Sequence, residues 1–436
     1  MDFQLIAQPP TVANREPTHL KCLSRKAFRR SILLFFSIFI RNRNAFLVLV
    51  GVVAAFKVVL SAVAPASFDL RDIIMLVASG HAPIGPWIAL YPPLYNQTAS
   101  NVRRLQSWPL TASLGSDLSL ATLSLLFRLP VFLFDLATTI VLFYIGRKME
   151  SSVEGRLMGL VWFLNPFSFF GVELLGLPDV VCVFLVVLSF LLLISERPVL
   201  SATALGLGAF VKLFPFFLLP ALLVYMHVNG ERRRALLSAT FVGALGFLGY
   251  LGWILPYGLE YLVTPTPVTQ LMPFVGGLPN TVNAVTFGLF AFYCLLIIFV
   301  KKRIPLSMFL STLLVYYVLA EPGPQYLIWL LPLLAVDVVV FADRLRVSIA
   351  SGLLVFAFLQ WFLVSSAFLT PSGYSLLMFP LGGASLPSYS VAVGNFLDSN
   401  LVGIIILPLV SSATFAFLLA YTAEQIRLWF SVPQAG

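Results

Sequence analysis

Residues 199–226 read VLSATALGLGAFVKLFPFFLLPALLVYM, an apolar run interrupted by Gly206, Gly208, Lys212, Pro215 and Pro220. The run is either one kinked helix or a hairpin of two short arms, and the choice fixes the sidedness of every later segment. As a hairpin, it places the basic clusters at Arg147/Lys148, Arg232 to Arg234, Lys301 to Arg303 and Arg344/Arg346 on the side of the basic N-terminus, with most of the 27 Lys and Arg. A single crossing would move Lys301 and all that follows to the other face. The positive-inside rule therefore favours the hairpin, with both termini cytosolic.

Working outward, apolar runs long enough to cross occur at 45–63, 118–146, 157–173, 179–194, 235–255, 282–300, 305–320, 325–341, 347–368 and 401–421. The expected fold is all-α and polytopic, with about 11–12 transmembrane helices. Composition agrees: 59% of the 436 residues are apolar and 10% charged, with mean hydropathy +0.96, far from the roughly one-quarter charge of soluble domains. The formal charge of +9 is explained by membrane topology, so nucleic acid is not an expected partner. Cys22, Cys182 and Cys294 lie far apart, with no disulfide framework or zinc spacing.

The expected organisation is a cytosolic N-terminus over 1–44, a single membrane domain over 45–421 and a cytosolic tail over 422–436. Within the N-terminus, 31–40 gives ten apolar residues, about 15 Å of helix, which suits an interfacial position and not a crossing. Outer loops are expected at 64–117, 256–281 and 369–400.

Candidate chemistry gathers at the outer face. Asp69 and Asp72 in Phe68-Asp69-Leu70-Arg71-Asp72 share one face of a helical turn, where they can supply a general base or bind a divalent cation, or merely cap a loop. Tyr91-Pro92-Pro93-Leu94 follows in the same loop. Arg128 opens a run in which Asp135 lies two turns deeper on the same stripe. A carboxylate at that depth requires a partner, and a structural role is favoured. Asp179 heads a helix after Gly176-Leu-Pro178, as an N-cap or as another outer carboxylate. Lys212 stops short of the outer surface, so an anion is expected beside it: Asp179, Asp135, Glu173 or a lipid phosphate. Gln325 and Tyr326 sit in the turn Glu321-Pro-Gly-Pro324-Gln325-Tyr326.

In this order, the motifs Phe68 to Asp72, Tyr91 to Leu94, Arg128 to Asp135, Asn165-Pro166 with Asp179, Gly206 to Pro215, and Gln325 to Pro332 resemble the GT-C superfamily of integral membrane glycosyltransferases. Specifically, the chain resembles the polyprenyl-phosphate-mannose-dependent mannosyltransferases, including the catalytic subunit of GPI mannosyltransferase I and its bacterial relatives. The resemblance covers about residues 45 to 335. It implies a GT-C fold with outer-loop helices over the membrane surface, and transfer of mannose from a polyprenyl (dolichyl) phosphate to a glycolipid or glycan acceptor on the extracytosolic side. The membrane implied is that of the endoplasmic reticulum in a eukaryote, or the cell membrane in a prokaryote.

Under that resemblance Asp69 is the catalytic base and Asp72 assists it. Arg71, Tyr91, Arg128, Asp179, Lys212, Gln325 and Tyr326 bind substrate. The cofactor is none or a divalent cation, its ligands unassigned, and the partners are the lipid-linked sugar, membrane lipid and a small membrane subunit. The leaving lipid phosphate gains charge as its bond breaks, so nearby cations would stabilise the transition state of an inverting single displacement. Two rivals belong to other classes: a secondary transporter, and a non-catalytic polytopic subunit of a GPI-transamidase-like complex, which shares this fold and would tolerate loss of the first-loop acids. Retention of Asp69 and Asp72 favours the enzyme.

Overall fold

The computed structural model describes residues 40–63, 115–174, 176, 179–211, 214–254, 289, 292–297, 305–320, 324–341, 344–367 and 405–430. All regular structure among them is helical. Three helices are long and apolar enough to cross a bilayer, over Arg43–Ser61, Arg128–Met149 and Pro408–Arg427, and shorter apolar helices accompany them. The chain is an all-α, multi-pass integral membrane protein.

Helix α1 (Arg43–Val63) is 21 residues long, about 31 Å, which matches the hydrocarbon thickness. Leu47, Val48, Val52, Phe56 and Val59 are exposed on it, whereas Lys57 and Ser61, one turn apart, are buried. One stripe thus faces the bundle and the rest suits lipid. Helix α2 (Gly115–Met149) contains Pro130 and turns at Glu150 and Ser151 into α3 (Ser152–Phe163), with the Ser151 side chain accepting from the Val153 amide. The two helices press together at glycines: a methyl group on Gly146 would stand 2.5 Å from Gly155 Cα. No side chain fits there, so backbone meets backbone, a packing mode common between membrane helices.

Asn165 then caps α4 (Pro166–Ser168) by accepting from the Phe167 amide, and a π-helical turn (Phe169–Leu174) follows. Helices α5 (Asp179–Ile194) and α6 (Pro198–Val211) form an antiparallel pair, joined inside by Ser189 and Ser201 at 2.8 Å. The stretch 199–226 is interrupted: α6 ends at Val211, a 3-10 turn runs over Phe214–Leu218, and α7 (Leu219–Val228) begins anew. A methyl group on Gly208 would lie 3.1 Å from Pro215 Cγ. Residues seven apart on a straight helix are separated by about 10 Å along its axis, so the chain turns sharply after α6.

Helix α8 (Arg232–Ile254) packs on α6, with Val242 against Gly206. Helix α9 (Pro305–Ala320) packs against α5, where the Phe190 and Phe309 rings are 6.1 Å apart. A second 3-10 turn (Pro324–Trp329) leads into α10 (Leu331–Val340). Helices α11 (Arg344–Ala367) and α12 (Leu407–Phe430) form the closing pair, in which Gly352 makes room for the Phe417 ring. The apolar core runs through α2, α3, α5, α6, α9 and α10.

Candidate functional site

Breaks in the helices mark the most specialised region. Non-helical backbone at membrane depth persists only where protein or a cavity surrounds it, and here the irregular segments pack on one another. The α4 segment and the second 3-10 turn touch, and that turn also rests on the start of α5. Asp179, buried at the head of α5, accepts a 2.7 Å hydrogen bond from the Trp329 indole Nε1. The Trp329 ring stacks on Phe214 of the first 3-10 turn at 4.1 Å and 6°. Tyr316 and Tyr317 of α9 flank it at 6.2 and 6.3 Å. One indole therefore holds three interrupted segments together.

The structure thus assembles parts of three motifs far apart in sequence: Asp179, the Phe214-Pro215 turn and the Trp329 helix entry. Gln325 and Tyr326 lie on the backbone of the second 3-10 turn, their side chains outside the described residues. Asp69, Arg71, Asp72, Tyr91 and Lys212 also lie outside them.

The sequence reading set Asp135 on the stripe of Arg128 and among the candidate partners of Lys212. The partner in the structure is Lys57, whose Nζ donates to Asp135 Oδ2 at 2.7 Å and to Ser168 Oγ at 2.6 Å. The Phe163 and Phe169 rings lie 4.5 and 4.6 Å from the ammonium, close enough for cation–π attraction. All three polar groups are buried. Arg128 is buried as well, not held at a wet interface, and its Nη1 donates to the Ser61 carbonyl at 3.0 Å. It thereby satisfies an acceptor in the last turn of α1 that has no intrahelical donor.

A further buried polar cluster escaped the sequence reading altogether. Asp337 of α10 accepts from Tyr421 OH at 2.5 Å and Gln425 Nε2 at 3.0 Å, both on α12. Arg346 of α11 lies between Asp337 and Glu424, at 3.6 and 3.7 Å. The cluster ties the closing helix pair to the core. The available signal was a lone carboxylate within the apolar run of α10, which demands a partner.

As placed, each of these carboxylates is engaged by a neighbouring side chain. Asp135 serves Lys57, and Asp179 serves Trp329. Among the described residues, no group of three or more His, Cys, Asp or Glu is placed to hold a metal ion. The Asp179 bond gives a direct expectation. Trp329→Phe keeps a ring against Phe214 but removes the indole donor from a buried carboxylate, so stability should fall by about 1–3 kcal/mol. Thermal unfolding of the purified variant in detergent checks this; an unchanged midpoint would show that the bond contributes nothing.

The fold and these buried polar ties define a class, the multi-pass all-α membrane proteins whose helices are fastened by ionic and aromatic contacts. Within that class, residues 69–264, just under half of the chain, match the family model of PIG-U, a GPI transamidase subunit. No curated protein and no solved structure matches the chain.

This match corrects the mannosyltransferase reading. The matched family is a subunit of a transamidase and not a sugar transferase, so the expectations of glycosyl transfer, of an enzyme and of a polyprenyl-phosphate sugar donor as partner are overturned. The base role of Asp69, the assisting role of Asp72 and the substrate roles of the other seven residues were inferred for that reaction. The GPI context is common to both readings.

Proposed function

We propose that this chain is a non-catalytic, multi-pass subunit of a GPI-transamidase-type complex in the endoplasmic reticulum membrane. The observation that carries the proposal is the PIG-U match over 69–264. The buried fastenings support it, because they suit a scaffold that keeps its shape while other subunits attach. Its partners on this reading are the other subunits of the complex and the protein substrates they process.

Depleting the chain from cells that carry it distinguishes the two biochemical steps. The expected result is loss of GPI-anchored proteins from the surface, with uncleaved precursor proteins and fully mannosylated GPI lipids both accumulating. Affinity purification of the chain in digitonin should also retain the catalytic transamidase subunit. Accumulation of under-mannosylated GPI lipids, with anchoring intact for any completed lipid, would sink the proposal.

A further inference from the structure

The stretch from Asn165 to Leu174 is poorly able to hold its own shape. It comprises a three-residue helix with Pro166 at its start and a π-helical turn, and Gly176 beyond it has φ 64°. Helices of this length are marginal without tertiary support, and π-helical turns are rare and concentrate at functional sites. Part of its support comes from one turn of α1. Lys57 Nζ donates to Ser168 Oγ at 2.6 Å and lies 4.6 Å from the Phe169 ring, while Phe56 packs on Phe169 at 6.0 Å. On the far side Phe167 meets Phe358 of α11 at 5.6 Å.

An apolar residue at position 57 could fill the same volume and would avoid the desolvation that a buried ion pair incurs. It could not donate to Ser168 or be drawn to the two rings. Asp135 accepts from the ammonium at 2.7 Å and orients it, so the pair acts on the segment as one unit.

We propose that Lys57 is a positioning residue. Its ammonium, set by Asp135, fixes the interrupted segment 165–174 at the junction of α1, α3 and the second 3-10 turn, and the anchoring activity of the complex depends on that placement. The dependence on activity rests on the function proposed above; the placement does not.

Hydrogen exchange of the purified full-length chain in detergent tests the placement. Two variants isolate it from overall stability: Ser168→Ala removes only the Lys57 hydrogen bond to the segment, and Lys57→Met with Asp135→Leu replaces the pair by apolar groups. Both should keep the parent exchange rates in the cores of α2 and α5 while exchange over 165–174 rises about tenfold, the factor expected when roughly one hydrogen bond's worth of local protection is lost. A role limited to overall stability would shift all these amides together. In depleted cells, each variant at parent abundance should restore measurably less surface GPI-anchored protein than the parent chain does. Parent-like exchange over 165–174, a rise no greater than in the helix cores, or full restoration of anchoring by both variants overturns the proposal. Failure of the parent chain itself to restore anchoring would instead refute the functional reading.

Discussion

Replacing Gly146 or Gly155 by leucine should prevent the α2–α3 pair from forming, so the variants should be recovered as degraded or aggregated chain. A methyl group on Gly146 would stand 2.5 Å from Gly155 Cα, 2.7 Å from its nitrogen and 2.9 Å from Met158 Sδ. On Gly155 it would strike the Phe143 carbonyl and come within 3.0 Å of the Arg147 nitrogen. Most of these atoms are backbone and cannot swing aside, so the helices must separate. Even Gly146→Ala should cost about 3 kcal/mol, the upper part of the usual range for overpacking. Separation would also weaken the fit of Gly159, whose added methyl would lie 3.2 Å from the Thr139 carbonyl. Thermal unfolding of the alanine variant measures the effect, and a parent-like midpoint would mean the helices can move apart without loss. By contrast Gly243, which has nothing within 4 Å of an added methyl, should accept alanine with little change.

The second large effect is expected at Lys57 and Asp135. Lys57→Met alone leaves a carboxylate in the protein interior without its ammonium, and removing one partner of a buried pair typically costs about 3–5 kcal/mol. Asp135→Leu alone strands the ammonium, with a similar cost. The double variant should recover to within about 1 kcal/mol of the parent, because an apolar pair of similar volume avoids the desolvation of both charges. The cycle is read by thermal unfolding in detergent. Additive losses in the double variant would show that the two groups do not act as a pair. Added salt should alter the parent little, since buried charges are poorly screened.

Much of this architecture was legible in the linear chain. A bilayer offers no water to unpaired backbone groups, so a long, sparsely charged, apolar sequence must fold as helices that cross it. The interruption near Lys212 and Pro215 was also readable, because glycine and proline disrupt helices locally. The sequence likewise singled out Asp179, the Lys212-to-Pro215 stretch and the Trp329 helix as outer-face motifs, and two of these meet in the Asp179–Trp329 bond. Their purpose was misread. Short acidic, aromatic and proline motifs follow from packing helix ends at a membrane surface as readily as from sugar chemistry, and a fold shared by enzymes and non-enzymes does not choose between them. Asp179, expected to cap its helix or to bind substrate, accepts the Trp329 indole N–H.

Hydropathy and charge patterning settle that this chain lives in a membrane as a helical bundle, since both depend only on local composition. Partner choice is different. Lys57 and Asp135 are 78 residues apart, and any of several buried carboxylates could have answered that lysine until the helices were packed. Gly146 and Gly155 look like ordinary glycines until two backbones meet at them. Only the tertiary structure decides such matters, because they depend on which faces of which helices come together, and the free energy of that choice is spread over contacts distant in sequence.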